Sequence, residues 1–317
     1  MNEVRSARNG VRMLAAFAVG ALLLLPVVGC AAKGVEASSA PSTGFPVTIT
    51  DDASRTVTIE APAKRIVSLA PANTEIVYSL GILDRLVGVT TWDDYPAQVS
   101  AITKVGDFTT PNIEAIAGAR PDLILVTGGV QADVVGRLEA IGAAVVVIDP
   151  QTLQDVHAAI RTVAQITGTS AQGETVVKGM ERDIAAIASR VGGSARVATF
   201  VEIGWNPLYT AGPGTLLDDL VTAAGGKNVV KEPGYVGYSV EQLVVDQPVV
   251  YLGTLSSLGD AAALGERPGY ASIAAIRTGR VVSLDDNLVS RPGPRLAEGV
   301  RQIAVALHPE SFVGATP

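Results

Sequence analysis

The chain has 317 residues, a formal net charge of −7, 48% hydrophobic residues, two histidines and one cysteine. The excess of acidic residues argues against a nucleic-acid partner, because binding a phosphate backbone requires clustered Lys and Arg. A single cysteine excludes an intramolecular disulfide, and the length predicts two lobes rather than one domain.

The N-terminus has the pattern of a bacterial lipoprotein signal. Three arginines precede an apolar stretch at residues 14–28, which ends in V-V-G-C with the only cysteine, Cys30. This stretch is short for a membrane span, so we expect removal of residues 1–29 and acylation of Cys30. Acyl chains would anchor the protein to the cell membrane on its extracytoplasmic side, in the periplasm of a Gram-negative cell. An uncleaved anchor helix is the alternative.

After the signal, a tether and a hairpin precede alternating strand and helix patterns. Residues 30–45 are small and polar, as in a flexible tether, and residues 47–59 alternate with the period of a β-hairpin. Asn73 or Thr74 is predicted to cap the first helix, with Glu75 in its first turn. Further predicted elements are strands at 86–90, 123–127 and 145–148 and helices after Asn112, at 131–141 and at 153–166. The alternation predicts a parallel sheet covered by helices.

One long helix is predicted at residues 170–191. Its apolar side chains recur every three or four residues and form one stripe: Val176, Met180, Ile184, Ile187 and Val191. Because no strand interrupts it, we interpret residues 169–193 as a rigid link between lobes at 46–168 and 194–317. An ordinary surface helix of the first lobe is the alternative.

The second lobe repeats the strand and helix alternation. Predicted strands lie at residues 196–203, 249–253 and 281–284, and predicted helices at 216–224, near Glu241, at 271–276 and at 295–307.

Two distant segments have nearly the same pattern, N-I-E-A-I-A-G-A-R-P-D-L-I-L-V and S-V-E-Q-L-V-V-D-Q-P-V-V-Y-L-G. In each, a glutamate (Glu114, Glu241) stands seven residues before a proline (Pro121, Pro248), and an apolar run follows the proline. A short helix entering a buried parallel strand gives this pattern. Its recurrence predicts two lobes built on one plan with a ligand cleft between them, and chance similarity is the alternative.

Patterns for covalent chemistry are absent from the sequence. No nucleophile elbow, P-loop or dinucleotide fingerprint follows a predicted strand. His157 and His308 have no partner at metal-ligand spacing. We therefore predict no catalytic residues and no metal site, and expect a binding protein rather than an enzyme.

Aromatic residues are few but fall at the predicted ends of strands, where open α/β sheets bind ligands. They are Trp92, Tyr95, Phe108, Trp205, Tyr209, Tyr235 and Tyr238. Aromatic rings in corresponding loops of both lobes indicate a cleft for a large planar ligand.

The order of motifs resembles one transport family. S-L-A-P-A-N-T-E-I, V-G-V-T-T-W-D-D-Y-P, N-I-E-A-I, A-R-P-D-L-I-L-V, N-P-L-Y-T-A-G, A-A-G-G-K-N-V-V and S-V-E-Q-L occur in sequence. Together they resemble the periplasmic substrate-binding proteins for cobalamin, iron-siderophores and haem, and most of all the cobalamin branch. The resemblance covers about residues 46 to 308.

The resemblance implies an α/β fold of two Rossmann-like lobes with mainly parallel sheets, joined by a single long rigid helix with the ligand cleft between the lobes. It implies a monomer that captures cobalamin as a transported ligand, with no cofactor of its own. The partner would be the permease dimer of an ABC importer with its ATPase subunits. Glu114 and Glu241 match the positions that dock onto permease arginines.

The resemblance also assigns individual cleft residues by their position in the motifs. Trp92, Phe108, Tyr209 and Tyr235 match places where the cobalamin branch has aromatic residues, and Arg291 matches a ligand-contacting arginine. Two positions depart from that branch: Thr127 and Gly128 replace a tryptophan, and Asn287 replaces an acidic partner of the arginine. The alternatives are a ferric-siderophore or haem binding protein on the same scaffold, an extracytoplasmic hydrolase, and a sensor domain.

Overall fold

A computed structural model describes residues 44–313 of the chain. The predicted signal peptide, Cys30 and the tether up to residue 43 lie outside the described residues. Within residues 44–313, no helix is both long and apolar enough to span a membrane.

Twelve strands are described, and they form a hairpin and two sheets. The strands are β1 (Val47–Thr50), β2 (Thr56–Ile59), β3 (Ile66–Ser68), β4 (Leu86–Gly88), β5 (Leu123–Val126), β6 (Ala144–Val147), β7 (Val197–Gly204), β8 (Tyr209–Ala211), β9 (Gly226–Asn228), β10 (Tyr235–Gly237), β11 (Val250–Thr254) and β12 (Val281–Leu284). β1 and β2 form the predicted antiparallel hairpin. The first sheet, in the order β4-β3-β5-β6, is entirely parallel, as predicted.

The second sheet is mixed rather than wholly parallel. β7, β11 and β12 run parallel, with β12 at one edge, and β9 pairs with the start of β7. β8 and β10 add an antiparallel edge beside the end of β7. The prediction that Tyr209 and Tyr235 lie in loops is wrong, because each begins one of these three-residue strands. Strands this short carry too few alternating residues to be recognised.

Helices cover the faces of both sheets. They are α1 (Pro71–Ser79), α2 (Ile113–Ala119), α3 (Val135–Glu139), α4 (Leu153–Ile166), α5 (Ser170–Val191), α6 (Leu216–Ala223), α7 (Val240–Asp246), α8 (Leu255–Leu258), α9 (Ala274–Arg277), α10 (Asp286–Val289) and α11 (Leu296–Leu307). α4 and α5 have the predicted bounds, while α3 is shorter than predicted because residues 129–134 form a 3₁₀ helix.

The long helix α5 contacts both halves of the molecule. It packs on α4, which follows the first sheet, and on α6 and α11, which belong to the second. One continuous apolar cluster includes Leu125 of the first sheet, Met180 of α5 and Leu252 of the second. A shared core of this kind makes independent rotation of the two lobes costly, because close-packed interiors resist shear.

The first helix begins earlier than predicted. Pro71 occupies its first turn, which suits the fixed backbone angle of proline. Neither predicted capping residue caps it: Asn73 donates to the carbonyl of Val126, and Thr74 donates to Ser68. Glu75 therefore falls in the second turn, where its side chain is buried.

The two similar segments fold into matching units. Asn112 and Ser239 cap α2 and α7 by accepting from the backbone N–H three residues later. Each seven-residue helix ends on a non-glycine residue in the left-handed conformation, Arg120 and Gln247. A proline and a buried parallel strand follow in both.

Candidate functional site

An open cleft of about 520 Å³ lies between the two sheets. One wall consists of residues that follow the carboxyl ends of β3, β5 and β6, among them Ala70, Thr127 and Asp149. The other wall includes Leu216, Tyr235 and the segment from Ser290 to Pro292. This is the place where parallel α/β sheets bind ligands, and its volume is typical of small-molecule sites.

Three predicted aromatic residues lie in this cleft. Trp92 and Phe108 come from the first lobe, and Tyr235 comes from the second. Trp92 is 61% exposed, and its indole N–H donates to Asp107 at 2.7 Å. Because the indole nitrogen is held, the ring has a fixed orientation at the cleft mouth and can stack on a planar ligand.

Four other predicted ligand residues are not among the cleft-lining side chains. Trp205 packs edge-on against Tyr270 with the Arg267 guanidinium 4.2 Å above its ring, so it belongs to the second-lobe core. Tyr209 donates to the backbone carbonyl of Tyr235, at 2.9 Å, and supports that residue from outside the cleft.

Tyr95 and Asn287 are also placed by structural contacts. Tyr95 packs edge-on against Tyr78, and the Arg295 guanidinium lies 4.1 Å from its ring centre. Asn287 lies in the short helix α10, where its backbone N–H donates to Asp285. Position in a loop after a strand did not distinguish these residues from the three that reach the cleft.

Arg291 lines the cleft but is engaged by two carboxylates of the other lobe. It donates to Asp94 at 2.6 Å and to Glu75 at 3.2 Å. The hydrogen bond from Arg291 holds the pKa of Asp94 below its usual range. Glu75 also accepts two hydrogen bonds from Arg295, at 2.6 and 3.0 Å. The positive charge of Arg291 is therefore compensated before any ligand arrives.

Gln131 braces the first-lobe wall and was not identified as a site residue. Its side chain is fully buried and donates to the carbonyls of Leu69 and Phe108, at 2.7 and 2.8 Å. It accepts from the backbone N–H of Thr127 at 3.0 Å. One amide thus holds three cleft segments in register, although no local sequence pattern marks it.

Asp149 lies beside Thr127 and Gly128, the two residues that depart from the cobalamin branch. Its Oδ1 accepts from the Thr127 hydroxyl at 2.9 Å. A Cβ on Gly128 would lie 2.3 Å from its Oδ2, so a larger residue there would displace the Asp149 side chain. The D-P after the strand at 145–148 could have identified Asp149, because it follows the carboxyl end of a parallel strand.

The glutamates of the matching units lie on the surface. Glu114 and Glu241 are exposed, each in the first turn of its helix. A carboxylate in the first turn interacts favourably with the helix dipole. Their exposure leaves both free to contact a partner.

Each of the two histidines lies beside a polar group of the protein. Nδ1 of His157 lies 3.6 Å from Glu181, and Nε2 of the buried His308 lies 3.2 Å from the carbonyl of Gly225. Over residues 44–313, no cluster of three or more His, Cys, Asp or Glu side chains has the arrangement of a metal site.

Residues 66–288 match the family model described as periplasmic binding protein. The chain belongs to the periplasmic binding protein family. The resemblance of the motifs is thereby confirmed, as is the fold of two Rossmann-like lobes.

Relatives of this periplasmic binding protein extend along most of its length. An uncharacterized ABC transporter substrate-binding lipoprotein of Bacillus subtilis, YvrC, is 34% identical over 93% of this chain and 98% of its own. A cobalamin-binding protein of Halobacterium salinarum is 31% identical over 83% of this chain and 74% of its own. A crystal structure from Staphylococcus epidermidis, of a possible iron-binding periplasmic solute-binding protein, superimposes with a TM-score of 0.72 at 30% identity, over 78% of this chain and all of that one.

This periplasmic binding protein is therefore the substrate-binding component of an ABC transporter. Such components work with a permease and an ATPase, and the family consists of transport proteins rather than enzymes.

Proposed function

We propose that this protein captures cobalamin or a related corrinoid and delivers it to the permease of its ABC importer. The observation that carries the proposal is the cleft itself, where Trp92 and Phe108 face Tyr235 across an open space. Aromatic side chains from both lobes suit a broad, flat macrocycle, because they bury large apolar faces. The Halobacterium salinarum relative, which is named for cobalamin binding, supports this choice.

The alternative ligand is a ferric siderophore or haem on the same scaffold. The Staphylococcus epidermidis structure, named as a possible iron-binding protein, favours an iron chelate. A ferric siderophore is commonly anionic and favours free cations, whereas the Arg291 charge is compensated by Glu75 and Asp94. A haem requires an axial ligand, for which the phenol of Tyr235 is the candidate on the cleft wall.

Delivery to the permease requires a docking surface. Glu114 and Glu241 are exposed at equivalent positions of α2 and α7, one in each lobe. We assign them to contacts with permease arginines, since two separated carboxylates on a rigid body fix orientation as well as attraction. The shared core through α5 supplies the rigidity.

The proposed location is the extracytoplasmic face of the cell membrane. Acylation of Cys30 would anchor the chain, and the residues after it would serve as a tether. The name of the Bacillus subtilis relative, a substrate-binding lipoprotein, supports this proposal. We further propose that the protein acts as a monomer, because its two lobes form the cleft within one chain.

Isothermal titration calorimetry of the purified protein tests the choice of ligand. Cyanocobalamin, haem and a ferric siderophore are titrated separately under the same conditions. We expect cyanocobalamin to bind most tightly, with a negative heat-capacity change from burial of apolar surface. Tighter binding of haem or of the siderophore would contradict the corrinoid assignment.

A further inference from the structure

The carboxylate of Asp149 lies on the cleft wall where the sequence departs from the cobalamin branch. The Thr127 hydroxyl donates to its Oδ1 at 2.9 Å. Its Oδ2 occupies the space beside Gly128 that a Cβ would fill. Two neighbouring residues thus hold the carboxylate in one position at the edge of the cleft.

No basic side chain of residues 44–313 forms an ion pair with Asp149. Its charged neighbour is instead another carboxylate, since the Asp149 backbone N–H donates to Asp52 at 2.6 Å. Burial raises the pKa of Asp52, and the Asp149 charge raises it further. This part of the cleft wall is therefore negative.

The basic residue on the cleft lining does not offset this charge. Arg291 is bound to Glu75 and Asp94, and Glu75 is shared with Arg295. These four side chains carry two positive and two negative charges, and so add no net charge. The cleft as a whole presents the carboxylate of Asp149 to its ligand.

We propose that Asp149 is a specificity-determining residue that accepts a hydrogen bond from an N–H group of an uncharged or cationic ligand and discriminates against ligands with carboxylates. The proposal rests on the proposed function and narrows its ligand class to amide-bearing macrocycles. An amide side chain of a corrinoid donates to the carboxylate, whereas a ligand carboxylate at the same place is repelled. Discrimination by an unfavourable charge contact is a common source of binding specificity.

The test compares wild-type protein with Asp149→Asn, using cyanocobalamin and its isomeric monocarboxylates, in which one side-chain amide is hydrolysed. Asparagine has the same shape and still accepts from Thr127 through its carbonyl oxygen. Calorimetry should show that the wild type prefers cyanocobalamin over at least one monocarboxylate. In Asp149→Asn we expect this preference to fall about fivefold. Asp84→Asn, which removes an exposed charge from the same lobe, should leave the ratio unchanged.

Haem, which carries two carboxylates, allows the role of Asp149 to be tested even if cobalamin is not the ligand. If cyanocobalamin does not bind but haem does, the corrinoid function and the amide-bearing ligand class both fail, and the effect of Asp149→Asn on haem affinity decides whether Asp149 discriminates against ligand carboxylates. About fivefold tighter binding of haem to the variant would support it. Unchanged ratios for every monocarboxylate, or unchanged haem affinity in that second case, would overturn it. Failure of all these probes to bind the folded wild type would overturn both proposals.

Discussion

Glu75 of α1 and Arg295, the residue before α11, join the two lobes through paired hydrogen bonds at 2.6 and 3.0 Å. Glu75 is 2% exposed, and Arg291 also donates to it. The pair connects residues 220 positions apart in the sequence. It lies beside the cleft, so that the same carboxylate fixes the lobe arrangement and compensates a cleft arginine.

Glu75→Gln should destabilise the protein by about 3 kcal/mol, because Arg291 keeps Asp94 as a partner but the half-buried charge of Arg295 is left without a carboxylate. Urea unfolding followed by circular dichroism measures the change in the free energy of unfolding. Glu174→Gln is the matched control, since Glu174 pairs with Arg161 on the exposed surface. There we expect no measurable change. Equal effects of the two variants would show that the contact between the lobes contributes no more than a surface ion pair.

The two tryptophans of the chain should differ in their effect on ligand binding. Trp92→Ala should weaken cyanocobalamin binding about fivefold, because it removes a stacking face of the cleft. Trp205→Phe should leave the affinity unchanged and lower stability instead, because Trp205 packs on Arg267 and Tyr270. Calorimetric titration of both variants checks the difference. A loss of affinity confined to Trp205→Phe would place the ligand in the second lobe rather than in the cleft.

Much of the fold was predictable because its signals are local. The stripe on α5, the cap of Asn112 and the repeated glutamate-to-proline spacing each depend on residues within a few turns of one another. The short antiparallel strands β8 and β10 were not predicted, because their pairing depends on other strands of the sheet.

Site residues were harder to predict, because their roles also depend on contacts with distant parts of the chain. Trp92 and Trp205 both follow a strand, and only the tertiary packing separates a cleft face from a core contact. Glu75 and Gln131 act through partners far away in the sequence, on other segments of the chain. A single sequence does not reveal which distant segments come into contact.

Asp93 and Asp94 should affect stability with opposite dependence on pH. Asp93 is 4% exposed, and burial raises its pKa from 3.8. The native state therefore binds the proton of the Asp93 carboxyl more tightly than the unfolded state does. Because of this, the contribution of Asp93 to the free energy of unfolding falls as pH rises from about 3.8 through the native pKa. Asp93→Asn should gain stability relative to wild type over that range.

The contribution of Asp94 to stability changes with pH in the opposite direction, because the Arg291 hydrogen bond lowers the pKa of Asp94. Its stabilising contribution is present above the unfolded value of 3.8 and is lost as pH falls through the native pKa. The deficit of Asp94→Asn against wild type should shrink toward acidic pH. Urea unfolding between about pH 3 and 7 measures both variants. Differences that stay constant with pH would contradict the assigned environments.

Loss of the proposed docking residues should abolish transport without affecting ligand binding. Replacement of both Glu114 and Glu241 by Ala should abolish uptake of labelled cobalamin in cells that depend on this protein. Calorimetry on the purified variant should show unchanged ligand affinity, because neither residue lines the cleft. The control variant Glu60→Ala/Glu266→Ala removes one exposed glutamate from each lobe. Uptake that survives in the first variant, or is lost equally in the control, would contradict the docking role.

A crystal structure of the protein with cyanocobalamin tests the central claim most directly. The account predicts that the corrin ring lies between the Trp92 and Phe108 wall and Tyr235, with the contacts of Glu75 to Arg291 and Arg295 preserved. Electron density for the corrinoid outside this cleft, or a cleft that stays empty at saturating ligand, would contradict it.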